Sequence, residues 1–220
     1  MSQSIVMLGA TGAVGTQVAK HLLAREELAQ LTLLGRRPVE VLSSAVVHQY
    51  NADIFNAKSY SDHLAGHDTA ICTLGVGQPS KMSKEDFLKI DKQAVIDFGA
   101  ACKDAGIQHF QLLASVGIDS ESSSFYLRAK GELVDTLKDM HFEQLTIYRP
   151  SMILTEQNRY GLLQGILLKV WPWLHVFLQG RLKKYRGVRV TDLGKAIADY
   201  SFVNDKGYKD LTWSDFQRFI

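Results

Sequence analysis

The stretch Gly9-Ala10-Thr11-Gly12-Ala13-Val14-Gly15 sets three glycines at three-residue spacing, directly after the apolar run 5–8 and at the opening of a helical pattern. Glycine permits a positive φ in a tight turn, lets backbone approach a neighbouring group without a Cβ clash, and allows a helix to pack closely on its strand. The N–H groups and dipole at the start of the helix then form an anion site suited to a pyrophosphate. Strand, loop and helix in that order open a βαβ unit, so the rest of the chain is expected to continue as parallel strands joined by helices.

The pattern does continue. Apolar or β-branched runs at 5–8, 31–34, 46–50, 69–74, 109–114 and 145–148 predict six strands, mostly continuous apolar runs as in a sheet covered on both faces. Helical periodicity is expected over 14–25, where Val14, Val18, His21, Leu22 and Arg25 share a face, over 91–105, ending at Gly106, and over 125–140. These readings predict an α/β fold, a Rossmann-type doubly wound parallel sheet. At 220 residues the chain fits one domain, with 1–150 as cofactor-binding core and 151–220 as a small C-terminal lobe covering the substrate.

Composition narrows the function classes. A hydrophobic content of 46% with 22% charged residues is that of an ordinary globular domain, and a net charge of +2 gives no whole-molecule field to select nucleic acid. The N-terminus shows no signal-peptide pattern, and a cytoplasmic protein is expected. Cys72 and Cys102 lie in apolar surroundings without CxxC spacing, which predicts buried free thiols. The apolar segment 161–178 carries Gln164, Lys169, Pro172 and His175, whereas a spanning helix needs ~20 residues almost free of charge, so no transmembrane segment is expected. With Trp171 and Trp173, it reads as a substrate lid or pocket wall, the alternative being a surface for a homodimer or protein partner.

Three further groups carry chemistry. Arg36 and Arg37 follow the second strand, where an acidic residue would bond the 2′-hydroxyl of NAD and arginine can pair with a 2′-phosphate. They favour NADP(H), with NAD(H) the alternative. Asp53 and Ile54 after the third strand suit an adenine, and Leu74 and Gly75 at the end of the fourth complete the cofactor set with Gly9, Thr11, Gly12, Ala13, Val14 and Gly15. Ser115 ends the fifth strand, and Tyr126 and Lys130 stand four apart on the helix that follows, hence on one face. A neighbouring cation stabilises a phenolate, and serine can hold a substrate oxygen by hydrogen bond.

The glycine loop, Leu-Leu-Ala-Ser115, Tyr126-Leu-Arg-Ala-Lys130-Gly and Tyr148-Arg149-Pro150 together resemble the atypical short-chain dehydrogenase/reductases, most nearly the Tat-interacting-protein-2-like oxidoreductase branch. The resemblance covers about the first 155 residues well. It implies a Rossmann fold, NADP(H), and a triad of Ser115, Tyr126 and Lys130, with Tyr126 as acid/base and Lys130 also bonding the nicotinamide ribose. Many such enzymes carry an asparagine in the helix before the serine strand, where this chain has Asp91-Lys92-Gln93. The expected activity is NADP(H)-dependent oxidoreduction of a small-molecule carbonyl or alcohol. The alternative is an NADPH-sensing regulator that binds cofactor and a protein partner.

Other patterns are set aside. His63 and His67 stand four apart beside Asp62 and Asp68, but Gly66 breaks the helix that would align them, so no metal is expected. No GxSxG surrounds a serine and the glycine loop lacks GK[ST], which disfavours a nucleophile-elbow hydrolase and a P-loop. The basic run Arg181, Lys183, Lys184, Arg186 and Arg189 reads as a solvated face, and Asp192 as the N-cap of a last helix.

Overall fold

The computed structural model describes residues 2–40, 44–76, 81–155 and 178–220. Its centre is a seven-stranded parallel sheet built from β1 (Gln3–Leu8), β2 (Leu28–Gly35), β3 (Val47–Asn51), β4 (Thr69–Cys72), β5 (His109–Leu113), β6 (Gln144–Tyr148) and β9 (Gly207–Leu211), in the order β3-β2-β1-β4-β5-β6-β9. A two-stranded parallel pair, β7 (Ile153–Leu154) with β8 (Val188–Arg189), stands beside it. The order reverses between β1 and β4, so the carboxyl ends of those strands flank the crevice where a doubly wound sheet binds its ligand.

Alternation along each strand divides the core into two layers. Val6 and Leu8 of β1 join Ala70, Phe110, Leu112 and Ile147 on one face. There they meet helices α3 (Ala94–Asp104) and α4 (Phe125–Asp139). Ile5 and Met7 face the other way, onto α1 (Ala13–Leu23) and α5 (Val190–Tyr200). A short helix, α2 (Lys84–Leu88), runs into α3 through a π-helical turn at Lys89–Gln93. The end of α3 is a Schellman turn: Ile107 N–H donates to Cys102 O and Gly106 N–H to Lys103 O, with Gly106 at φ +83°.

All six expected strands are present, and β9 is a seventh that sequence reading did not foresee. Residues 188–211 therefore enter the main domain, as β9 pairs with β6 and α5 packs along α1. The cap of α5 is Arg189, and Asp192 falls inside its first turn, where a carboxylate meets the positive end of the helix. Nor are β5 and β6 apolar on both sides. Toward α5 they bury a polar layer in which His109 Nε2 meets Thr146 Oγ1 at 3.0 Å, Tyr148 donates to Gln111 Oε1 at 2.8 Å, and Gln111 donates to Ser201 Oγ at 2.9 Å. Burial pushes His109 down to about 3, so the ring is neutral at physiological pH.

No helix among the described residues is long and apolar enough to cross a membrane. The segment 161–178, read as a lid, lies outside the described residues but for Leu178. Cys72 and Cys102 are free and buried, and burial pushes the Cys72 thiol up to about 12.

Candidate active site

Because all seven strands are parallel, the loops after β1, β2, β3, β4, β5 and β6 emerge along one edge of the sheet, and the site residues singled out in the sequence sit on those loops or on the helices that follow them. Gly9 turns the chain at φ +94°, and a Cβ there would lie 2.6 Å from Leu74 N. A Cβ on Gly15 would lie 2.3 Å from Gly9 O. Both glycines are thus required by close approach, and the loop after β4 packs directly against the glycine turn. Thr73 donates from its hydroxyl to Gly9 O at 3.0 Å, and Gly12 N–H donates to the same oxygen at 3.0 Å. Gly12 caps α1 without a side-chain bond, and the first turn of α1 has no acidic residue, which leaves the positive end of the helix open to an anion.

At the far end of the edge, a cleft of about 270 Å³ is lined by Ala10, Thr11, Arg36, Arg37, Gln49 and Asn51, among others. Arg36 and Arg37 are exposed and form no ion pair among the described residues. Gln49 shapes the wall: it accepts from Val39 N–H at 2.7 Å and donates to Val39 O at 3.3 Å, holding the loop after the arginines. Tyr50 is stacked on His63 with centroids 3.7 Å apart, while His67 is buried against Thr32, its Nε2 2.8 Å from Oγ1. Asp53 folds its own turn, accepting from Phe55 N–H at 3.0 Å, and Ile54 beside it is buried in the core.

At the other end, α4 carries Tyr126 and Lys130 one turn apart. The Tyr126 ring packs on Phe87, centroids 5.4 Å apart. The Lys130 ammonium is buried and lies 2.6 Å from Asp91 Oδ1, with side chains 5% and 2% exposed. Asp91 Oδ2 in turn accepts from Val76 N–H at 2.7 Å. Ser115 Oγ, past the end of β5, is buried and has no hydrogen-bond partner among the described residues.

Arg149, in the Tyr148-Arg149-Pro150 motif, is a tie between segments. It pairs with Asp210 of β9 at 2.5 Å, donates to Ile118 O at 3.1 Å and to Tyr208 Oη at 3.2 Å. Its span therefore fixes the loop that follows Ser115 to the edge strand. Arg186, in the basic run, donates to Leu178 O at 2.8 Å and lies over the Trp213 ring, 4.7 Å from its centroid, whereas Arg181 and Lys184 are exposed.

Sequence reading missed Thr73, Gln49 and the role of Asp91. The first two carry no motif. Asp91 did leave a signal: it falls on the same helical stripe as Val95, Phe98 and Cys102, and an acidic residue on an apolar face calls for a cation opposite.

Residues 9–165 match the NAD(P)H-binding family model. The rat protein HTATIP2 (Rattus norvegicus) is 31% identical over 159 residues, which span 71% of this chain and 65% of that protein. The protein FMP52, mitochondrial, of Meyerozyma guilliermondii is 31% identical over 170 residues, 75% of this chain and 72% of its own length. The chain belongs to the NAD(P)H-binding family and, within it, to the atypical short-chain dehydrogenase/reductases. A nicotinamide dinucleotide is therefore the ligand class of this chain. Among solved structures, MoeE5 in complex with UDP-glucose and NAD superposes with a TM-score of 0.71 at 16% identity, covering 94% of this chain and 75% of that one. The oxidoreductase ylbE from Lactococcus lactis gives 0.62 at 21% identity, covering 90% and 84%. These likenesses establish the Rossmann-type fold. The fungal relative's name places that protein in mitochondria.

Proposed function

We propose that this protein is an NADP(H)-dependent oxidoreductase acting on a carbonyl or alcohol of a small molecule. The observation that carries the reading is Ser115: a buried hydroxyl without a partner among the described residues, on the same sheet edge as the glycine loop. Such a group costs about 1–3 kcal/mol where nothing meets it, and a substrate oxygen would meet it. The exposed Arg36 and Arg37 beside the 270 Å³ cleft support a 2′-phosphate at the other end, and the open start of α1 supports a pyrophosphate between them.

The cofactor, when bound, supplies or accepts hydride at the substrate carbon. In the reducing direction Ser115 donates a hydrogen bond to the carbonyl oxygen, and Tyr126 delivers the proton that the new alkoxide takes up. Lys130 stabilises the phenolate left behind and holds the ribose hydroxyls. Gly9, Thr11, Gly12, Ala13, Val14 and Gly15 cradle the pyrophosphate; Asp53, Ile54, Leu74 and Gly75 border the adenosine. Two buried free thiols suit a reducing compartment, whether cytoplasm or mitochondrial matrix.

The test is Tyr126→Phe, assayed by NADPH absorbance against a panel of small aldehydes and ketones, with cofactor binding measured separately by NADPH fluorescence. Turnover is expected to fall by about 10²–10⁴ with binding unchanged. Undiminished turnover would overturn the mechanism, and NADPH binding without turnover of any carbonyl in the wild type would favour a cofactor-sensing role.

A further inference from the structure

One buried carboxylate grips two parts of the site at once. Asp91 Oδ1 holds the Lys130 ammonium at 2.6 Å, and Oδ2 holds Val76 N–H at 2.7 Å. Val76 lies on the loop after β4, whose Thr73 bonds Gly9 O and whose Leu74 packs against the glycine turn. The carboxylate thus bridges the loop that supports the pyrophosphate cradle and the helix that carries the lysine. We infer that Asp91 is a positioning residue for cofactor binding, acting through Lys130 by fixing the direction of its ammonium relative to the glycine loop.

Three observations support a role beyond packing. Asp91 sits in the π-helical turn Lys89–Gln93, an irregularity that interrupts the helix where the carboxylate enters the interior. Such turns are rare and recur at functional sites. Next, a buried ion pair is a poor way to gain stability, because desolvation costs several kcal/mol per ion and well-packed apolar residues do as well or better. Finally, the pair is closed off from solvent, with side chains 5% and 2% exposed, and a Cβ on Gly75 would lie 3.3 Å from Asp91 Oδ1. An ammonium held in so tight a setting has few directions open to it, so displacing the carboxylate should be felt wherever Lys130 reaches.

The inference rests on the reading of Lys130 as a cofactor-holding residue, and a double-mutant cycle in NADPH binding tests it without any substrate. NADPH fluorescence titrations are run on the wild-type chain, Asp91→Asn, Lys130→Met and the double variant, each first checked for wild-type circular dichroism. Asp91→Asn keeps an acceptor for Val76 N–H and removes the charge. It is expected to weaken NADPH about tenfold, Lys130→Met at least as much, and the double variant no more than Lys130→Met alone. A merely structural Asp91 would lower affinity equally in both backgrounds, and additive losses, or Asp91→Asn within twofold of wild type, would overturn the inference. Should Asp91→Asn fail to fold, Asp91→Glu keeps the charge and moves it by one methylene; affinity between wild type and Lys130→Met is expected, and wild-type affinity would overturn the proposal. Tyr126→Phe in parallel separates the two readings, because loss or retention of turnover there decides the reductase mechanism while the cycle alone decides Asp91.

Discussion

Arg36 and Arg37 stand exposed at the tip of β2, each free of any ion pair among the described residues, whereas Lys130 sits in the interior with its charge met by Asp91. The two cationic ends of one ligand edge are thus built in opposite ways. Exposed guanidinium groups are cheap to place, screened by salt and easily exchanged, which suits a choice between related cofactors. A buried ammonium costs desolvation and is held in one direction, which suits a fixed geometry. Under the proposed function, specificity would be carried where change is inexpensive, and chemistry where it is not.

That contrast can be broken at several points. The largest effect is expected where both ends meet: Gly15→Val puts side-chain atoms where a Cβ alone would already lie 2.3 Å from Gly9 O. Overpacking of 1–3 kcal/mol corresponds to a loss of up to about a hundredfold in affinity for NADPH and NADH alike, measured by fluorescence titration. Selective loss of one cofactor would show that the loop is not the shared anchor. Next, Arg36→Ala with Arg37→Ala should weaken NADPH about tenfold or more while leaving NADH unchanged, and the NADPH preference of the wild type should shrink as salt rises. A salt-independent preference would move the 2′-phosphate contact to a buried group.

At the buried end, Ser115→Ala should separate stability from activity. Removing an unpartnered hydroxyl is expected to raise stability by about 1 kcal/mol in urea denaturation, while turnover falls about tenfold. Lowered stability would mean that the hydroxyl already has a partner. The last effect concerns pH, and it acts on stability rather than on the ligand edge. His109 has a folded-state value of about 3 against an ordinary 6.5, so between those values the unfolded chain binds a proton that the folded chain refuses. Stability is therefore complete above about pH 6.5 and declines as pH falls toward 3, by up to about 1.4 kcal/mol per pH unit. His67, also lowered by burial, adds in the same direction. Urea midpoints across that range should show the slope, and His109→Gln should flatten it.

The sequence made the exposed end easier to read than the buried one. Gly9, Gly12, Gly15, Arg36 and Arg37 announce their chemistry by residue type at fixed spacing, and the strands and helices around them have strong periodicity. β9 escaped because its Gly-Tyr-Lys-Asp-Leu is a polar edge strand with three exposed residues, and β7 is two residues long, too short to have a period. Ser115, Tyr126 and Lys130 were visible as a family pattern, whereas Asp91 showed as a departure from that pattern and as an acidic residue on an apolar stripe, neither of which names its partner. Its meaning depends on a contact with another helix, which no local period encodes.

The tie made by Arg149 bears on when this site comes into being. The loop after Ser115 is fastened through Ile118 O to a guanidinium whose other anchors, Tyr208 and Asp210, lie in the last strand of the sheet. Chains emerge from the ribosome amino end first. The glycine loop is among the first parts to be made, yet the loop after Ser115 waits for β9. A chain stopped before Gly207 is expected to fold its early strands and leave residues 115–124 open to protease, cleavage that the complete chain resists.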